Sequence, residues 1–225
     1  MATDSLSVVV PVLDDAEPLE KLLNSLRESP VAMHIIVVDG GSRDDSVAIA
    51  DHFGCQVLQA PSGRGSQLDE GCRVARGNWI WMLHADCQIS EQVMIYLNSL
   101  QGVNWGRFDV RFDGGGSGLQ LVAGLMNWRS RISGICTGDQ GIFAHRALLD
   151  RIGGVPRQPL MEDVELCSRL KRISRPLTPR LQLVTSPRRW EERGLVQTIL
   201  GMWWIRLRYW WGVSADRLAR EYYAG

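Results

Sequence analysis

The sequence predicts an α/β fold: a mostly parallel central sheet with helices on both faces, followed by a tryptophan-rich helix near the C-terminal end. Short valine-rich apolar runs alternate with leucines at helical spacing through the first half, and each run ends in a turn bearing charged residues. After about residue 104 this rhythm gives way to strict one-in-two alternation. Alternating strands and helices build a parallel sheet covered on both sides, and such sheets bind ligands outside the carboxyl ends of their strands.

Residues 6–13 (LSVVVPVL) form an almost continuous apolar run, which suits a strand buried on both faces. Asp14 and Asp15 break it. Leu19, Leu22, Leu23 and Leu26 then recur at helical spacing, with Pro18 in the first turn, where a missing N–H costs nothing. A second strand over 34–38 (HIIVV) ends at Asp39. Gly40, Gly41 and Ser42 turn into a helix for which Ser42 is the expected cap, with Asp45 three residues on, and Gly54 ends it. Residues 55–59 read as a third strand, 68–76 as a helix stopped by Gly77, and 78–83 (NWIWML) as a fourth strand. Residues 106–112 (GRFDVRF) then predict a half-exposed antiparallel strand, with Phe108, Val110 and Phe112 on one face and Arg107, Asp109 and Arg111 on the other. The glycines of 113–118 (DGGGSG) read as a flexible turn, since no Walker lysine or dinucleotide fingerprint accompanies them. The simplest organisation is one domain over 1–225: a ligand-binding half (1–104), a catalytic half (105–192) and a helical tail (193–225).

Composition removes several classes of function. Lys plus Arg equals Asp plus Glu at 25 each, so no bulk field draws nucleic acid to the surface and none is expected as a partner. The five cysteines are odd in number and lack a C-x-x-C pair, which argues against a disulfide framework and a structural zinc site. With no basic run leading into a signal-length apolar stretch, a cytoplasmic location is expected.

Polar residues gather at the carboxyl ends of the strands. Asp14 and Asp15 follow the first, Asp39 the second, Arg64 the third, and His84 and Asp86 the fourth. A carboxylate such as Asp39 can accept from a base or ribose, and Arg64 between two glycines can reach a phosphate, although a Gly-Gly-Ser turn also occurs in ordinary strand-to-helix connections. His84 and Asp86, two apart after an extended strand, point to one side and can meet a divalent cation with its diphosphate. Imidazole plus carboxylate accepts manganese as well as magnesium. The alternative is that Asp86 caps the next helix. Glu162 and Asp163 open a helical pattern in which Val164, Cys167 and Leu170 share a face. There they either complement the helix dipole or serve as a general base. Gly138, Asp139 and Gln140 form a tight polar turn suited to line a ligand site.

In this order and spacing, these stations resemble the family 2 glycosyltransferases, whose Rossmann-like nucleotide-binding fold is type A. Residues 6–12, including Pro11, look like the opening strand. Val37-Val38-Asp39-Gly40-Gly41-Ser42 resembles the V-D-D-G-S turn, Gly63-Arg64-Gly65 the G-K-G loop, His84-Ala85-Asp86 the D-x-D motif and Glu162-Asp163 the E-D motif. Ser186-Pro187-Arg188-Arg189-Trp190 is similar to a degenerate Q-x-x-R-W. The resemblance covers residues 5 to about 190 and implies a metal-dependent inverting transfer of sugar from a nucleotide-diphosphate donor to an acceptor hydroxyl. It implies donor contacts from Pro11, Asp39, Arg64, His84, Asp86, Gly138, Asp139, Gln140, Arg189 and Trp190, a Mg²⁺ or Mn²⁺ ion on Asp86 with His84, and Asp163 as base with Glu162 beside it. His84 and Gly40 each replace an Asp of the family pattern. Ser186 in place of Gln argues against a processive synthase and for a small bacterial subgroup.

The tail, residues 197–213, holds four of the nine tryptophans, with Arg206 and Arg208 between the two Trp pairs. The arginines make crossing a bilayer costly. A helix this aromatic most simply packs on its own sheet or on a second subunit, as in a homodimer. The other option is a peripheral contact with the inner face of the membrane, where lipid-linked acceptors of the family reside. The rival functions are a sugar-1-phosphate nucleotidyltransferase, which needs a glycine-rich loop where Leu13-Asp14-Asp15 stands, and a non-catalytic nucleotide-sugar sensor or membrane-associated scaffold.

Overall fold

The computed structural model describes residues 6–188, 190 and 194–223. Strand β1 (Leu6–Val12) lies mid-sheet, with β2 (Met33–Asp39) parallel on one side and β4 (Trp79–Met82) parallel on the other. Strand β3 (Gln56–Gln59) extends the parallel run beyond β2. Past β4 the sheet turns antiparallel, through β7 (Phe143–His145) and then the two-residue β5 (Trp105–Gly106), giving the order β3-β2-β1-β4-β7-β5. The chain reverses its direction of travel at β1, so the loops after β1 and β4 diverge and leave a crevice at their carboxyl ends.

Both faces of the sheet are packed, which is why β1 reads as a nearly unbroken apolar run. Val8, Val10 and Val12 face the leucines of α1 (Ala16–Arg27) and the apolar side of α4 (Glu91–Asn98). Val9 faces the other way, with Ile36 and Val38, toward α3 (Arg64–Val74), α6 (Arg146–Ile152) and α7 (Glu162–Lys171). Trp79 and Trp81 fill the first layer while Ile80 and Met82 fill the second.

Three local expectations are corrected. Ser42 does not cap the second helix: α2 (Ser46–His52) starts later, and Ser42 Oγ instead accepts the Asp14 N–H (3.0 Å). Asp14 in turn accepts the Arg43 N–H (2.7 Å), so the loops after β1 and β2 are laced together. The strand expected over 106–112 divides: β5 ends at Gly106, and β6 (Asp109–Phe112) pairs in parallel with β8 (Gln182–Thr185) as a separate two-stranded sheet. Of its charged face only Arg111 is exposed. Arg107 and Asp109 are buried as an ion pair, with Arg131 donating to the second Asp109 oxygen at 2.5 Å and Arg107 donating to the Asn127 carbonyl at 3.0 Å. A long-range pairing of opposite charges therefore overrides an alternation that sequence alone assigns to solvent.

Helix α5 (Gly116–Ser133) packs over the small sheet through Leu119, Val122, Ala123 and Met126. The tail forms two helices, α8 (Leu195–Trp210) and α9 (Ala215–Tyr223). Leu195, Ile199 and Met202 join the α5 cluster, and Tyr209 Oη reaches Gln158 and Glu165. Packing of the indoles on the chain's own core is not what occurs: Trp203, Trp204, Trp210 and Trp211 are 55–73% exposed. No helix among the described residues is long and apolar enough to cross a membrane.

Candidate active site

The crevice is built by four loops at the carboxyl edge of the sheet and closed by the start of α7. Asp14, two residues after β1, has a left-handed φ of 52°, and Met161, immediately before Glu162, has one of 64°. Neither is glycine, so the flanking structure holds both in an uncommon conformation, as often happens where a loop must present functional groups. The Met161 turn places Glu162 and Asp163 at the N-terminus of α7, where the helix dipole favours carboxylates.

Asp163 is the best-defined group here. One carboxylate oxygen accepts the Gly138 N–H (3.0 Å) and the other its neighbour's N–H at Val164 (2.7 Å). Burial, and next the Glu162 charge, push its pKa up to about 7, against the pull of the Gly138 N–H and of Arg64. Arg64 stands 3.9 Å from Glu162 across the cleft. Burial opposes the Arg64 charge, but Glu162, Asp139, Asp163 and the Tyr223 hydroxyl together raise its pKa. Gly65 lets α3 come this close, because a Cβ there would lie 2.4 Å from the Pro156 carbonyl.

His84 continues from β4 into the same cleft, and its Nδ1 pairs with Asp139 at 3.1 Å. Its Nε2 is buried with no hydrogen-bond partner among the described residues and lies against Gly138, where a Cβ would be 2.3 Å away. Asp86 accepts from the Thr185 hydroxyl (3.2 Å), a contact made when β8 bridges to the segment after β4. Asp15 lies beside it. Burial first, then the Asp86 and Asp44 charges, raise the Asp15 pKa, while Arg188 and Arg64 lower it. The structure thus brings together Arg64, His84, Asp139, Glu162 and Asp163 in one cleft, with Asp15 and Asp86 alongside.

Other residues singled out in the sequence have different surroundings. Asp39 accepts from its own turn, at Gly41 (3.1 Å) and Ser42 (3.0 Å), one N–H on each oxygen. Pro11 is partly buried in β1, paired with Val38. Gln140 is fully buried and points inward, donating to Ser130 (3.0 Å) and Asn127 (3.2 Å). Trp190 packs edge-on against Phe112 at 5.6 Å within the α5 cluster. Arg189 lies outside the described residues. Sequence reasoning missed Gln67, whose buried amide donates at 2.8 Å to both the Val12 and Val38 carbonyls and so ties the ends of β1 and β2. The helix expected over 68–76 begins earlier, at Arg64, so Gln67 fell outside the predicted element. Thr185 left none, because its partner Asp86 is 99 residues away in sequence; Arg188, within the Ser186–Trp190 motif, acts on Asp15 from the far end of the chain.

Whether these residues suit a divalent cation follows from their donor chemistry. The Asp86 charge raises the Asp15 pKa, so negative charge gathers there, whereas His84 Nε2, the ring nitrogen turned away from Asp139, is buried against Gly138 and is not open to an ion. Among the described residues no group of three or more His, Cys, Asp or Glu could hold an ion by itself; the neighbouring carboxylates Asp15 and Asp86 are the donor type that Mg²⁺ and Mn²⁺ take, one or two at a time, beside a diphosphate.

Residues 7–114 match the family model described as Glycosyl transferase family 2. An uncharacterized glycosyltransferase of Mycobacterium tuberculosis is 33% identical over 87 residues, which is 38% of each chain. One from Rickettsia prowazekii is 28% identical over 100 residues, 42% of this chain and 31% of that one. The chain thus spans well under half the length of these curated relatives. Among solved structures, S. aureus TarS 1–349 in complex with UDP-GlcNAc superposes with a TM-score of 0.67 at 18% identity, covering 81% of this chain and 58% of that one. The mannosyltransferase PcManGT of Pyrobaculum calidifontis, in complex with GDP-Man and Mn²⁺, gives 0.65 at 18%, covering 80% and 56%. Glucosyl-3-phosphoglycerate synthase of M. tuberculosis, with Mn²⁺ and UDP, gives 0.60 at 20%, covering 82% and 71%. The fold is that of the type A glycosyltransferases.

Proposed function

We propose that this chain, a type A fold whose residues 7–114 match glycosyl transferase family 2, moves a sugar from a nucleotide-diphosphate donor to an acceptor hydroxyl with inversion. The observation that carries this reading is Asp163: a carboxylate at a helix start, fixed by two backbone N–H groups and raised to about 7, facing Arg64 and His84 across one cleft. A sugar hydroxyl is a poor nucleophile, and a positioned base whose pKa lies near the working pH is the group suited to take its proton.

In this mechanism the donor lies along the carboxyl ends of β1, β2 and β4, in the half formed by residues 1–104. Asp163 removes the acceptor proton while the acceptor oxygen bonds to the anomeric carbon and the bond to the diphosphate oxygen breaks on the opposite face. Arg64 offsets charge growing on the leaving diphosphate. Glu162 holds Arg64 in place and keeps the Asp163 pKa high. Asp86, with Asp15 near it, would hold a Mg²⁺ or Mn²⁺ ion, which supplies Lewis-acid stabilisation of the diphosphate when bound. Mn²⁺ in the two related complexes supports that assignment. Asp139 is a positioning residue that holds the His84 ring through Nδ1. A cytoplasmic setting beside a membrane belongs to the same proposal.

The test is thermal unfolding with nucleoside diphosphates and nucleotide-sugars, with and without Mn²⁺. Ligand at about a hundred times its Kd should stabilise the fold by about 2.7 kcal/mol. If no nucleotide shifts the transition with or without metal, the donor site proposed here is wrong.

A further inference from the structure

Two arginines turn inward from the outer helices and meet no partner. Helix α5 gives Leu119, Val122, Ala123 and Met126 to the cluster over the small sheet, and α8 adds Leu195, Ile199 and Met202. One turn beyond Met126 stands Arg129, and one turn beyond Met202 stands Arg206, where apolar residues would continue the seam. The Nε and Nη2 atoms of Arg129 and the Nε of Arg206 are buried with no hydrogen-bond partner among the described residues. Burying an unmatched guanidinium is costly, and such a group in a folded chain calls for a ligand that satisfies it.

Both arginines lie toward the start of α7. Burial lowers the Arg129 pKa, against the upward pull of Asp163 and of Cys136 and Cys167. Arg206 sits between Met202, in the shared cluster, and Tyr209, whose hydroxyl reaches Glu165 of α7 at 3.4 Å. The carboxylates of that helix are engaged elsewhere: Glu162 with Arg64 (3.9 Å), Glu165 with Arg169 (2.8 Å), and Asp163 with the Gly138 and Val164 N–H groups. Neither guanidinium therefore has a carboxylate at ion-pair distance among the described residues.

We propose that Arg129 and Arg206 form an oxyanion subsite on the acceptor side of Asp163, and that the acceptor carries a phosphate group beside the hydroxyl that receives the sugar. A guanidinium fork takes phosphate oxygens two at a time, and a pair of forks matches the double charge of a phosphate better than the single charge of a carboxylate. The donor is assigned to the strand ends within residues 1–104, whereas both arginines come from helices beyond them. The subsite rests on the reading of Asp163 as the base that serves an acceptor hydroxyl, but its anion binding is measured without any transfer.

Inorganic phosphate is titrated calorimetrically into the full chain at constant ionic strength, alone and after saturation with nucleoside diphosphate and Mg²⁺. The expected result is a phosphate site that persists beside the bound nucleotide. Arg129→Met and Arg206→Met should each weaken it by about tenfold or more and leave nucleoside diphosphate affinity unchanged. The unfolding temperature of each variant should equal or exceed that of wild type, because an unmatched buried charge is lost and no hydrogen bond is broken. Phosphate that fails to bind, or that binds both variants as it binds wild type, overturns the inference. If nucleotide displaces the phosphate and the variants lose affinity for both, the arginines belong to the donor site and the acceptor subsite is wrong. If only one variant is affected, or if both unfold at lower temperature, the two-helix subsite fails. Phosphate binding that the variants lose, in a protein that takes up no nucleotide, would uphold the anion site and refute the donor reading alone.

Discussion

Replacing Asp163 by asparagine keeps the size of the side chain, removes its charge, and separates a catalytic role from a capping one. In the wild type, Asp163 accepts from Gly138 and Val164. The amide can serve only one of these donors, and leaving the other N–H unmatched costs about 1–3 kcal/mol. Against this stands the resistance of the folded protein to ionisation of Asp163. A carboxyl held at about 7 instead of the ordinary 3.8 carries at most about 4 kcal/mol of penalty once it is fully ionised. The folded state binds this proton more tightly than the unfolded chain. Wild-type stability contributed by Asp163 therefore falls as pH rises from about 3.8 to about 7, and the penalty is complete above that. The substituted amide does not titrate, so Asp163→Asn should be equal to or slightly less stable than wild type near pH 5. Near pH 9 it should be more stable by about 1–2 kcal/mol, or several degrees for a chain of this size. Turnover should fall by about 10²–10⁴, with donor affinity little changed, since the lost interaction is made only in the transition state. The assays are thermal unfolding at the two pH values and release of nucleoside diphosphate from the donor. A variant with wild-type turnover, or one destabilised equally at both pH values, would refute the assignment and leave Asp163 as a helix cap.

Gly138→Ala places a methyl group 2.3 Å from His84 Nε2, so the ring must move; we expect at least a tenfold loss of turnover with an intact fold, checked by circular dichroism and kinetics. Gln67→Leu removes a donor from the Val12 and Val38 carbonyls at the mouth of the crevice and leaves Val12 with the Gly40 N–H, so denaturant titration should show a loss of about 1–3 kcal/mol. Asp86→Ala should abolish Mn²⁺-dependent nucleoside diphosphate binding by calorimetry, whereas Thr185→Val, which removes only a hydroxyl donor to Asp86, should weaken it by less than about tenfold.

The sequence alone determined the strand-helix rhythm of the first half, because apolar runs, helical spacing and glycine stops are local properties written within ten or fifteen residues. It also determined which loops carry charged groups, since a strand buried on both faces can place them only at its ends. Asp86 was singled out for that reason, and Glu162 and Asp163 because they open a helical pattern. Tertiary structure decided what those charges meet. That His84 pairs with Asp139, that Gly138 donates to Asp163 and that Arg64 faces Glu162 all depend on contacts between segments 25 to about 100 residues apart. The same holds where sequence pattern misled. Arg107 and Asp109 alternate as a wet face would, yet they are buried because Arg131 arrives from α5 to balance them. The tail tryptophans are hydrophobic enough for a core, yet they face outward because Ile199, Met202 and Tyr209 already occupy the inward side of the helix. Periodicity identifies an apolar face; only the packed fold determines whether protein is there to cover it.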